Sequence, residues 1–258
     1  MTRVRTAHAS GVARITLARP EKRNALDQAM VTALHDAIRA AGADDGVRAV
    51  LLDADGNDFC AGADLEALAA MLDAGADAEA HRRDADLLGQ LFIAIRALPK
   101  PVVAAVRGRA LAGGAGLATA CDIVLAHEDA RFGYPEVIVG FVPAMVMTML
   151  RRCAGEKRAF ELAATGRLVD ANEALALGIV SRVIPAGSFE AEVARTVTTL
   201  AATPPAALRL TKRLFYALDS RGFEAGIALG AQTNVESRAT PEFREGMRRF
   251  TKGGKEGA

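Results

Sequence analysis

The apolar positions of this chain change period along its length. Val12-Ala13-Arg14-Ile15-Thr16-Leu17 reads as a strand and is stopped by Arg19-Pro20. From Asp27 onward, Met30, Leu34, Ala37, Ile38 and Ala41 recur at helical spacing, with Gly42 where a C-terminal cap would sit. Ala49-Val50-Leu51-Leu52-Asp53 is a short apolar run between Asp-Gly turns, the pattern of a buried strand. Strand, helix and strand in that order predict an α/β core.

Asp64 is suited to cap a short helix over 65–72, and the polar stretch 73–84, which offers little to bury, reads as a mobile loop. A longer helix then places Leu87, Leu88, Leu91, Phe92, Ile95 and Leu98 on one face, and Pro99-Lys100-Pro101 breaks it. Val102–Val106 reads as a second buried strand, with further strands over 123–126 and 130–133. From Glu156 the pattern is largely helical, with segments over 171–177, 189–201, 205–218, 222–234 and 241–250. Strands give way to helices near residue 190.

Composition narrows the function classes. Of 258 residues, 51% are hydrophobic and 24% charged, and Lys+Arg number 32 against Asp+Glu 31. No global field attracts nucleic acid or a membrane, so an anionic ligand must be held by local groups. The absence of Trp argues against a stacking surface for single strands. Cys60, Cys121 and Cys153 form no CxxC pair, which points to a reducing compartment, and the opening residues lack the apolar stretch of a secretory signal, so a cytoplasmic location is expected. His8, His35, His81 and His127 show no ligand spacing, and no metal site is expected. Neither a GxSxG elbow nor a GxxxxGK[ST] loop occurs.

The candidate chemistry lies in a pair of turns made of small residues. One is Phe59-Cys60-Ala61-Gly62-Ala63-Asp64; the other runs from Gly108 through Gly113-Gly114-Ala115-Gly116 to Ala120-Cys121-Asp122. Each follows an apolar run and precedes a helical one. The first donors of a helix have no intrahelical acceptor, so two such turns facing one pocket could hold one oxyanion from both sides.

In this pairing the chain resembles the crotonase superfamily, the enoyl-CoA hydratases and isomerases. The resemblance implies an α/β fold: a crotonase-type spiral of ββα units over 1–190 carrying an acyl-CoA site, then a C-terminal helical trimerisation region over 191–258. It implies the Ala63 and Gly113 N–H groups as oxyanion donors. It also implies Glu136, in Phe132-Gly133-Tyr134-Pro135-Glu136, as the catalytic carboxylate. Family hydratases carry a second glutamate at the place matched here by Gly116, and a glutamate there would point into the site. One base suffices to move a double bond, whereas hydration is divided between two acids, so the single carboxylate leans toward isomerisation. Tyr134 is a candidate second proton donor.

For the coenzyme A portion, the resemblance points to Lys22 and Arg23 near phosphates and to Ala25 and Ala61 for backbone contacts. Asp64 and Leu65 would lie beside the donor turn, with Leu65, Leu68, Phe141, Met145 and Met147 about an acyl pocket. Phe250 and Lys252 of the terminal helix would approach the ligand. It implies no separate cofactor, since coenzyme A arrives as part of the substrate, and a homotrimer or hexamer. The alternatives are a decarboxylase or thioester hydrolase using the same oxyanion hole, or a non-catalytic acyl-CoA-binding protein.

Overall fold

In a computed structural model that describes residues 2–253, Val4–Ala9 (β1) and Val12–Leu17 (β2) form an antiparallel hairpin. Gln28–Ala43 (α1) follows, its N-cap Asp27 accepting from Met30 N, and buries Met30, Val31, Leu34, Ile38 and Ala41. Ala49–Ala54 (β3) then lies parallel to β2. Leu65–Asp73 (α2) and Ala78–Ala97 (α3) cross over to Val102–Val106 (β4), in which every residue is buried. Arg109–Leu111 (β5), Gly113–Ala120 (α4), Ile123–His127 (β6) and Arg131–Gly133 (β7) come next. They are followed by Val146–Thr165 (α5), Leu168–Asp170 (β8), Ala171–Ala176 (α6) and Arg182–Ile184 (β9). The remaining helices are Phe189–Ala202 (α7), Pro205–Ala217 (α8), Phe223–Arg238 (α9) and Pro241–Gly253 (α10).

The main sheet has the order β1-β2-β3-β4-β6-β9 and is parallel from β2 onward, while a smaller sheet has the order β5-β7-β8. Parallel strands covered on both faces need apolar side chains on both. One face packs on α1, α3 and α4 through Leu34, Ile38, Leu91, Ile95 and Leu117. The other presents Leu51, Val103, Ala105 and Leu125 to Phe189, Val193 and Val197 of α7. The change from strands to helices at residue 190 therefore falls inside α7, a helix that covers the sheet.

The stretch 73–84, expected as a loop, is helical from Ala78. Asp77 caps it by accepting from Ala80 N at 2.8 Å, and Arg83–Glu79 and Arg82–Asp86 pair one turn apart, so local polar bonds build the first turns of α3, which have little to bury.

Lys212 and Tyr216 fasten α8 to the α/β core. Lys212 Nζ donates to the Ile95 and Lys100 carbonyls at 2.9 and 3.0 Å and to Asp122 Oδ2 at 2.7 Å, and Tyr216 O–H donates to Asp122 Oδ1 at 2.7 Å. Burial alone works against the Lys212 charge and pulls its pKa down; these acceptors are what allow a buried ammonium here. Among the described residues, no helix is long and apolar enough to cross a membrane.

Candidate active site

The two small-residue turns are stitched together by backbone bonds. Cys60 N donates to Arg109 O at 3.0 Å and Leu111 N returns a bond to Cys60 O at 2.9 Å, so the first turn runs alongside β5 like one more strand. Asp58 secures the entry, accepting from Arg109 N at 3.0 Å and from its guanidinium at 2.8 and 2.7 Å. On the other side Leu26 N donates to Gly62 O at 2.7 Å and Asp64 N to Leu26 O at 3.0 Å. Neither the Ala63 nor the Gly113 N–H has an acceptor among the described residues.

Close approach explains the small side chains. A Cβ on Gly62 would lie 2.8 Å from Ala112 Cβ and 3.3 Å from Gly113 N, and one on Gly114 would lie 2.3 Å from the Cys60 carbonyl oxygen. The point where a Gly113 Cβ would sit is 3.9 Å from Ala63 N, so the two free donors are neighbours. The backbone is strained where it turns into α4: Ala112 has φ 50° and ψ −123°, a region that favours glycine.

Arg19 holds the first turn from behind. Its Nη1 donates to Asp64 Oδ2 at 2.6 Å and the Ala25 carbonyl at 3.2 Å, and lies 3.2 Å from Asp27. Asp64 in turn caps α2, accepting from Glu66 N and Ala67 N at 3.1 and 3.2 Å. Burial works against ionising Asp64, but Arg19 and the capping amides outweigh it and hold the carboxyl below its ordinary value. One guanidinium thus joins the N-caps of α1 and α2. Nothing in the sequence reading identified Arg19; the signal available was its place directly before Pro20 in the same segment as Lys22 and Arg23.

Glu136 lies in the 3-10 turn Pro135–Val139 and is 9% exposed. Its Oε2 is buried without a partner, and burial raises its pKa. The Ala112 N–H donates to Gly133 O at 2.8 Å, which ties the turn carrying Gly113 to the segment carrying Glu136. Tyr134 is wholly buried in the core and its hydroxyl has no partner. Burial also pushes the Cys60 thiol up to about 12, far from the range of a nucleophile.

Gly116 corrects one expectation. A Cβ there would stand 2.3 Å from Val146 Cγ1 and 3.0 Å from Phe92 Cζ, so a glutamate at 116 would run into the start of α5 rather than reach an open site. Val146 and Phe92 fill the space beside Gly116.

A cavity of about 380 Å³ adjoins the donors, lined by Leu26, Ala63, Leu68, Met71, Leu87 and Leu88 among others. Leu68, one of the residues expected about an acyl pocket, lines this cavity. Leu65 and Phe141 are 61% and 57% exposed, and Met145 sits instead between α3 and α5, its Sδ 3.5 Å from where a Gly89 Cβ would be. Lys22 pairs with Glu66 at 2.7 Å across the mouth of the first turn, Arg23 is exposed, and Ala61 N donates to Arg23 O at 3.0 Å. Ala25 is buried behind the same turn. Phe250 is 80% exposed on α10 and is not part of the cavity wall; the side chain of Lys252 lies outside the described residues.

Residues 7–256 match the enoyl-CoA hydratase/isomerase family. A putative enoyl-CoA hydratase of Thermus thermophilus is 46% identical over 250 residues, covering 97% of each chain. The 2,3-dehydroadipyl-CoA hydratase of Escherichia coli is 32% identical over 92% of this chain and 90% of its own. Among solved structures, an enoyl-CoA hydratase of Mycobacterium smegmatis superposes with a TM-score of 0.93 at 34% identity, covering 97% of this chain and 96% of that one.

Proposed function

The chain belongs to the enoyl-CoA hydratase/isomerase family, and we propose that it acts on unsaturated acyl-CoA thioesters through an enolate, with Glu136 as its one proton shuttle. The observation that carries this reading is the pair of neighbouring N–H groups without acceptors among the described residues, Ala63 and Gly113, on turns that the Ala112–Gly133 bond ties to the segment carrying the buried, unpartnered Glu136.

Removing a proton from C2 of a 3-enoyl thioester moves charge onto the carbonyl oxygen. Two aligned donors in a water-poor site stabilise that charge without having to reorganise, and losing one typically costs ~10²–10³ in rate. Burial makes Glu136 a stronger base than an exposed glutamate, and its unpartnered oxygen is free to accept the proton. Returning that proton at C4 gives the 2-enoyl thioester, with no water consumed and no second acid required. The packing of Val146 and Phe92 beside Gly116, which leaves no room there for another carboxylate, favours this double-bond shift over hydration.

The same reading calls for no cofactor beyond the coenzyme A that the substrate carries. A cytoplasmic, reducing setting is consistent with the free thiols of Cys60, Cys121 and Cys153. A homotrimer, or a hexamer of paired trimers, would cover the exposed Ile138, Val139, Phe141, Phe223 and Ile227 and could bring Phe250 of one copy to another copy's ligand.

The test is to assay purified protein and its Glu136→Gln variant against 3-enoyl-, 2-enoyl- and 3-hydroxyacyl-CoA. Wild type should interconvert the enoyl isomers faster than it adds water, and Glu136→Gln should lose ~10²–10⁴ in turnover while still binding the thioester. Decarboxylation or thioester hydrolysis without isomerisation, or binding without turnover, would replace this reading.

A further inference from the structure

We propose that the acyl cavity selects chains that stay uncharged to their far end and discriminates against acyl groups terminating in a carboxylate. This rests on the acyl-CoA reading above and names the substrate class for that site.

The cavity begins at the donors. The point where a Gly113 Cβ would sit is 3.4 Å from Leu26 Cδ1 and 3.6 Å from Leu88 Cδ2, and both leucines line the cavity with Ala63. From there the wall runs between α2 and α3 past Leu68, Met71 and Leu87. An apolar wall favours a hydrocarbon chain and penalises a charged one, which must give up its water.

The charges on the wall act in the same direction. Among the described residues its ionisable members are Asp27, Asp64 and Asp84, with no Lys, Arg or His. Asp27 and Asp64 are neutralised from behind by Arg19, and Asp27 also by Arg3 at 2.6 Å. Asp84 differs: among the described residues it forms no ion pair, and its bond is with the neutral Gln28 amide, whose Nε2 donates to Oδ1 at 3.0 Å. The nearby cations are already engaged, Arg83 with Glu79 at 2.8 Å and Lys22 with Glu66 at 2.7 Å.

Asp84 also lies on the same helix as Leu88, the α3 leucine beside the donors. It precedes Leu88 by one turn of α3, ~6 Å away along the helix axis. A terminal carboxylate reaching that point meets a like charge and, among the described residues, no countercharge on the wall, and the repulsion is only partly screened in a half-enclosed cavity. Discrimination then comes from a built-in repulsive element as well as from apolar attraction.

Saturated, unreactive thioesters separate these terms. Calorimetric titration of the full chain should compare hexanoyl-CoA with adipyl-CoA and octanoyl-CoA with suberyl-CoA, each pair differing in the terminal carboxylate. The neutral member should bind at least about tenfold tighter in one or both pairs. Asp84→Asn should improve binding of the diacid thioester about threefold or more, because it removes the charge at nearly constant shape, and Asp84→Lys should narrow the gap further by adding a countercharge. Equal affinities within both pairs would overturn the proposal, as would a gap that neither substitution moves. If neither thioester of a pair binds, the acyl-CoA reading itself falls, and the selectivity with it.

Discussion

Building a second carboxylate at position 116 tests both the packing and the single-acid argument. Carbon atoms in contact normally stand ~3.5–4.0 Å apart, whereas a Gly116 Cβ would lie 2.3 Å from Val146 Cγ1 and 3.0 Å from Phe92 Cζ. Val146 and Phe92 are 3% and 4% exposed, so neither has open space into which to retreat. Gly116→Ala should therefore cost about 3 kcal/mol of overpacking, offset by about 1 kcal/mol of helix propensity. Gly116→Glu adds a buried carboxylate worth several kcal/mol more, a large share of the ~5–15 kcal/mol that holds a typical domain.

Val146→Ala removes the clashing methyl at a cost of about 1–3 kcal/mol. In that background Phe92 Cζ at 3.0 Å and the residue-146 Cβ at 3.2 Å still crowd position 116, so Gly116→Ala should become milder rather than neutral, a coupling of about 1 kcal/mol or more in a double-mutant cycle read by urea unfolding. The combined Gly116→Glu/Val146→Ala protein should then fold, bind thioester and shift its products from isomerised toward hydrated. Additive stabilities would refute the packing account. A folded, thioester-binding double variant with an unchanged product ratio would refute the idea that the missing acid sets the reaction.

The other predictions concern the strained and buried groups around the site. Because burial raises the folded-state pKa of Glu136 above its ordinary 4.5, its contribution to stability is fully present below 4.5 and is lost as pH rises through the raised value. Glu136→Gln should accordingly melt above wild type at neutral pH, with the gap closing toward pH 4.5; a gap independent of pH in thermal scans would contradict this. At Ala112, relief of ~1–3 kcal/mol of backbone strain outweighs the ~0.4–1 kcal/mol entropic cost of glycine. Ala112→Gly should therefore raise the melting temperature by about 2–4 °C, and an unchanged or lower value would show that the conformation carries no strain.

Where local physics suffices, the elements were legible from the chain alone. Val12–Leu17 and Val102–Val106 are strands because their side chains require a buried sheet, and α1 follows from its apolar stripe and the Asp27 cap. The small-residue turns likewise announced free backbone donors. Elements formed mainly by their partners were not legible. β1 buries only Val4 and exists because it pairs with β2, while β5, β8 and β9 are three-residue strands without a pattern of their own. Similarly, the start of α3 rests on polar bonds rather than on a buried face.

The site divides in the same way. Residue type at 63, 113 and 136 is a property of the chain, because a free N–H needs a turn of small residues and a proton shuttle needs a carboxylate. Tertiary packing alone decided that Val146 occupies the space beside Gly116, that Arg19 joins the two N-caps, and that Asp84 on the cavity wall has no ion pair among the described residues. Each of those facts depends on which distant atoms share a few ångströms, and van der Waals exclusion and charge pairing act through space without regard to separation along the sequence.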